Sequence, residues 1–98
     1  MNQSVNVAVQ VIPVAPNHDL YEIVDQAISV IINSGVKYQV TPFETVMEGD
    51  YNQLMEIVKQ VQEVCYTAGA DKVICFIKIE SSRDNVVLIE DKTGKYIS

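Results

Sequence analysis

The order in which hydrophobic periodicity changes along this chain leaves few folds open. Val5, Val7, Val9 and Val11 alternate with Asn6, Ala8 and Gln10, the period of two that marks a strand. Pro13 and Pro16 are expected to end it. Leu20, Ile23, Val24, Ala27, Ile28 and Ile31 then follow helical spacing, with Asp19 and Glu22 as a capping box and Asn33-Ser34-Gly35 as the stop. Val36, Tyr38 and Val40 alternate as a second strand, Pro42 interrupts, and Glu44 to Glu48 reads as a third strand that Gly49 ends. Asp50 and Gln53 repeat the capping signal before a helix through Leu54, Ile57, Val58, Val61, Val64, Cys65 and Ala68, stopped by Gly69. Lys72 to Ile79 is a fourth strand and Ser81 to Asn85 a loop. Val86 to Ile97 reads as a short last helix that Gly94 weakens.

This order is the split βαβ pattern. It predicts an α+β, ferredoxin-like βαββαβ fold: one antiparallel sheet, two helices on one face and a short C-terminal helix. The 98 residues suffice for one domain and not two, so residues 1–98 read as a single domain with a modest core.

Assembly is written into the last strand. Val73, Cys75, Ile77 and Ile79 face one way, and Ile74 and Phe76 the other. A sheet covered on one face should be polar on its open face, and this strand is apolar on both. Val30 and Ile32 likewise widen the apolar arc of the first helix beyond the roughly 100° stripe of a surface helix. Two readings stand. Either the open sheet face is buried against another copy, in a dimer or tetramer, or these side chains are singly exposed.

The net charge is −6, with six acids and one base in residues 1–50 against seven and six in residues 51–98. Such a surface repels phosphate backbones, which argues against nucleic acid. No apolar run is long enough to span a membrane, and Met-Asn-Gln-Ser lacks a signal-peptide pattern, so the expectation is a soluble cytoplasmic protein. Cys65 and Cys75 form no metal-binding pattern and are expected as free, buried thiols.

No catalytic pattern is present. His18 is the lone histidine and lies in a loop without a paired nucleophile. Glu44 and Glu48 are about 13 Å apart along a strand, too far for a paired-carboxylate hydrolase. Thr41 to Asp50 is the polar stretch with room to hold something: Glu44, Val46 and Glu48 point one way, Thr45 and Met47 the other. Its side chains serve turns and caps, or they hold a ligand. Arg83, in Ser81-Ser82-Arg83-Asp84, is a candidate anion contact or a solvated turn.

"VQVIPVAP" (9–16), "SGVKYQVTPFETVMEGD" (34–50) and "VICFIKIESSRD" (73–84) together resemble the small thiamine-binding protein family, over nearly the whole chain and in order. The strongest marks are Thr41-Pro42, Thr45 and Glu48-Gly49. The resemblance implies a ferredoxin-like homo-oligomer that holds thiamine or its hydroxymethylpyrimidine half between subunits, without catalysis and without a further cofactor. Carried onto this chain, it makes Thr41, Phe43, Glu44, Thr45, Glu48, Tyr38 and Arg83 the candidate ligand-binding residues. Thr41, Thr45 and Glu48 would meet the aminopyrimidine, while Phe43, Tyr38 or Phe76 would stack or face the cation and Glu44 would favour the charged thiazolium. Thr45 and Glu48 are expected to line one crevice, and Lys78 to pair with Glu48 or serve an interface. Glu44 stands where the family pattern favours a small residue, and Ser82 where a second basic residue precedes Arg83.

Overall fold

The structure is a computed structural model and describes residues 4–93. Strand β1 runs Ser4–Val14, helix α1 Leu20–Asn33, β2 Lys37–Val40, β3 Thr45–Asp50, α2 Tyr51–Thr67, β4 Lys72–Glu80 and α3 Ile89–Thr93. The sheet order is β2-β3-β1-β4, with every neighbouring pair antiparallel. This is the ferredoxin-like arrangement that the periodicities imply.

The sheet presents two different faces. Val5, Val7 and Val9 of β1 and Met47 of β3 point toward the helices. There they meet Ile23, Ala27 and Ile31 of α1 and Leu54, Ile57, Val58, Val61 and Cys65 of α2. Both helix starts carry the expected aspartate N-cap, though among the described residues neither Glu22 nor Gln53 closes the capping box. The Asp19 carboxylate accepts from the Tyr21 and Glu22 amides, and Asp50 Oδ2 accepts from the Gln53 amide at 3.1 Å. Among the described residues no helix is long and apolar enough to cross a membrane.

Three boundaries differ from the sequence reading. Strand β1 continues through Pro13 to Val14, because β3 pairs with it only as far as Val9. Beyond that point only β4 lies alongside, and the proline occupies what is locally an edge. Strand β3 continues through Gly49, which pairs with Val5. A Cβ at Gly49 would meet Leu54 Cδ2 at 3.5 Å, an ordinary contact, so space does not demand glycine here. The last helix begins at Ile89 and not at Val86, because Val87 is drawn onto β1: its amide donates to Ser4 O at 2.9 Å. The expected stretch from Gly94 to Ile97 lies outside the described residues.

Candidate functional site

The open face of the sheet is organised in rows set by strand register. Glu48 lies opposite Asn6, and Asn6 opposite Glu80. The next row is Gln39, Val46, Ala8 and Lys78. One residue pair further along β1 and β4 the face turns apolar, with Phe76 opposite Gln10 and Ile74 opposite Ile12. Phe76 is 55% exposed.

The segment after β4 folds back over the polar end of this face. Asn6 Nδ2 donates to Val87 O at 3.0 Å, and Glu48 Oε1 accepts from the Ile89 amide at 2.6 Å. Lys92 Nζ donates to Asn6 Oδ1 and pairs with Glu80 at 3.0 Å. Asn6 is consequently 5% exposed although it lies on the face without the long helices. Between the segment and the sheet lies a cleft of about 420 Å³. Ala8 and Val46 are in its lining, with Gln39 and Thr41 from the β2 side and Ile89 and Lys92 from α3. It is mainly apolar, with amide, hydroxyl and ammonium groups at intervals, as ligand clefts are.

Lys78, Glu80 and Lys92 are also in its lining, and three ion pairs join these residues or their strand neighbours. Lys37 faces Glu48 at 3.9 Å, Lys78 reaches Glu44 at 3.3 Å, and Lys92 holds Glu80. Each of these carboxylates therefore already has a cation, and the rim is locally neutral. Lys78 pairs with Glu44 and not with Glu48, because Glu48 is engaged by the Ile89 amide and by Lys37. Exposed pairs of this kind contribute about 0–1 kcal/mol each, so their effect here is on charge balance more than on stability.

The residues singled out in the sequence are distributed over both faces. Thr41 borders the cleft, and its hydroxyl closes the β2–β3 turn, donating to Glu44 O at 2.5 Å and accepting from the Glu44 amide at 3.1 Å. Glu44 stands at the end of that turn against Lys78. Glu48 is on the open face, holding the C-terminal segment. Thr45 is 5% exposed on the opposite, helix side, where it lies beside Val9. With Thr41 and Phe43 it lines a second, smaller cavity of about 110 Å³ between the turn, β1 and α1. Phe43 is at the turn tip and 79% exposed. Tyr38 lies on β2 opposite Met47, half-exposed at the sheet edge. Arg83 is exposed on the loop after β4 and lines neither cavity.

Asn6, Gln39 and Lys92 escaped the sequence reading. Asn6 carries a faint signal, since a carboxamide interrupts a run of valines. What makes it central is a contact 81 residues away, which no local pattern encodes.

On the helix side, Cys65 and Cys75 are free. Burial pushes the Cys65 thiol above its ordinary value and the Cys75 sulfur adds to that; burial does the same to Cys75. Both thiols hold their protons and are poor nucleophiles.

A sequence model described as "Thiamine-binding protein" matches residues 7–97. A UPF0045 protein of Clostridium perfringens is 44% identical over 91 residues, 93% of this chain and 95% of its own. A Bacillus cereus structure of a domain of unknown function, DUF77, superposes with a TM-score of 0.94 at 42% identity, covering 98% of this chain and 92% of that one. A Thermotoga maritima structure, provisionally assigned to thiamine biosynthesis or salvage, superposes with a TM-score of 0.85 at 30% identity, covering 95% and 98%. The coverage, the identity and the shared fold agree, and the chain belongs to the thiamine-binding protein family.

Proposed function

We propose that this protein is a non-catalytic binder of thiamine or its hydroxymethylpyrimidine half. The ligand sits in the cleft between the open sheet face and α3, and a second copy of the chain completes the site. The observation that carries this reading is the cleft itself, found on a chain of this family. Its volume of about 420 Å³ falls within the range of about 300–1,000 Å³ typical of small-molecule sites.

The charge balance favours the pyrimidine over the thiazolium as the recognised half. A cationic ring would have to displace Lys78 from Glu44 or Lys92 from Glu80. A neutral aminopyrimidine requires no such exchange. It can lie on the small side chain of Ala8 and use the Gln39 amide, which both donates and accepts.

The exposed Ile12, Ile74 and Phe76 on the same face support closure by a second copy. The same side chains also favour a second reading, a homo-oligomeric interaction module without a ligand. A thermal-shift panel with thiamine, its phosphates and hydroxymethylpyrimidine separates the two. A ligand at 100 times its Kd adds about 2.7 kcal/mol. The shift is expected with thiamine and hydroxymethylpyrimidine and is expected to vanish in Ala8→Phe, which fills the cleft. No shift with any of the compounds supports the module.

A further inference from the structure

Register brings Glu48, Asn6 and Glu80 into one row across three strands, and all three side chains engage the same short segment, residues 87–93. Asn6 is used at both ends of its amide: Nδ2 donates to Val87 O, and Oδ1 accepts from Lys92. Glu48 takes the Ile89 amide, and Val87 and Ile89 are buried as a result. Over the described residues 87–93, the segment is held on the sheet by its contacts with β1, β3 and β4. These side-chain contacts act together with the Val87 amide's bond to Ser4 O and the burial of Val87 and Ile89. Few contacts holding a peripheral unit are what permit local opening without global unfolding. The unit they hold also forms one wall of the cleft, through Ile89, Lys92 and Thr93.

We propose that Asn6 and Glu48 are positioning residues that fasten residues 87–93 as a clasp over the cleft, and that a ligand beneath Ile89 holds the clasp shut. This rests on the reading of the cleft as the ligand site. Glu48 is not in the cleft lining and acts through the segment it anchors, whereas Asn6 both lines the cleft and anchors the segment. Ligand release then follows clasp opening, and the coupling is reciprocal: ligand suppresses opening, and a variant that loosens the clasp weakens binding in proportion to the closed fraction it removes.

Hydrogen exchange of the intact chain tests this, with calorimetric titration of hydroxymethylpyrimidine beside it. Glu48→Ala should speed exchange in the peptide covering 87–93, while peptides from the centre of β1 and from α2 keep their wild-type rates. Glu48→Gln should behave like wild type, because its carboxamide oxygen still accepts from the Ile89 amide. Affinity for the probe should fall roughly tenfold in Glu48→Ala, about the scale of one hydrogen bond, and recover in large part in Glu48→Gln, which keeps the acceptor but not the charge. Should the buried Asn6→Ala fail to fold, Lys92→Ala removes the segment's bond to Asn6 Oδ1 and its pair with Glu80, while Asn6 Nδ2 keeps Val87 O. Unchanged exchange at 87–93 in both Glu48→Ala and Lys92→Ala overturns the clasp. Faster exchange with undiminished affinity overturns its coupling to the cleft. A wild-type protein that binds no probe defeats the ligand reading on its own and the coupling with it, while exchange still decides whether the segment is fastened by these residues.

Discussion

Thr45 and Glu48 stand three residues apart on β3 and on opposite faces of the sheet, Thr45 beneath the helices and Glu48 against the Ile89 amide. The alternation of a strand makes this unavoidable, since residues an odd number apart point in opposite directions. One ligand cannot meet both side chains within a single protomer's cleft. The cleft on the open face belongs to the Glu48 side, and its neighbours there are Asn6, Ala8 and Val46.

Thr45→Val is therefore expected to leave ligand binding intact. Valine keeps the shape but lacks the hydroxyl, and the position lies in the helix-side core, so stability should change by no more than the roughly 0.5–1.5 kcal/mol of one hydrogen bond. A thermal-shift titration with hydroxymethylpyrimidine should give the wild-type increment in this variant. Its loss would move the site to the small cavity beside Phe43.

Much of the fold was legible because it rests on local patterns. The valines of β1, the carboxylates of Asp19 and Asp50 at helix starts, and the glycines after each long helix all mean in the structure what they mean in the sequence. The site was less legible because it is made of register and return. Asn6 looked like an ordinary polar residue on the solvent side of an alternating strand. It is buried because Val87 comes back over it, and that contact depends on the path of the chain after β4. Glu48 was singled out as a cap or a ligand contact, and its observed partner is the Ile89 amide, 41 residues on. Lys78 reaches Glu44 over β1, a pairing that only the strand order reveals.

Gly69→Ala should destabilise the protein. Gly69 has φ +113°, where an L side chain is strained, and an added Cβ would lie 2.5 Å from His18 Nε2. The backbone part of the cost is about 1–2 kcal/mol. Urea denaturation should show that loss, and His18→Ala in the same chain should recover the steric part while leaving the backbone part.

Stability should decline on the alkaline side. The Cys65 and Cys75 thiols titrate above the ordinary value of 9.0 in the folded protein, so the folded state binds protons more tightly than the unfolded state. Their contribution is whole below the unfolded thiol value and is lost as pH rises through the raised folded values. Urea midpoints measured upward from pH 9.0 should fall more steeply in wild type than in Cys65→Ala/Cys75→Ala, whose midpoint starts lower because a buried side chain is trimmed.

Placing carboxylates on the apolar half of the open face should separate the protomers. Ile74→Asp with Phe76→Asp puts two like charges into the surface that the proposed partner covers. Size-exclusion chromatography should show wild type as an oligomer and the double variant as a monomer with unchanged circular dichroism. A wild type that already elutes as a monomer would remove the partner from the account.

A crystal structure with hydroxymethylpyrimidine tests the central claim most directly. Ligand density is expected on the open sheet face, lying on Ala8 and Val46, beside Gln39 and beneath Ile89. Density on the helix side, next to Thr45 and Phe43, or an empty open face at saturating ligand, would contradict it.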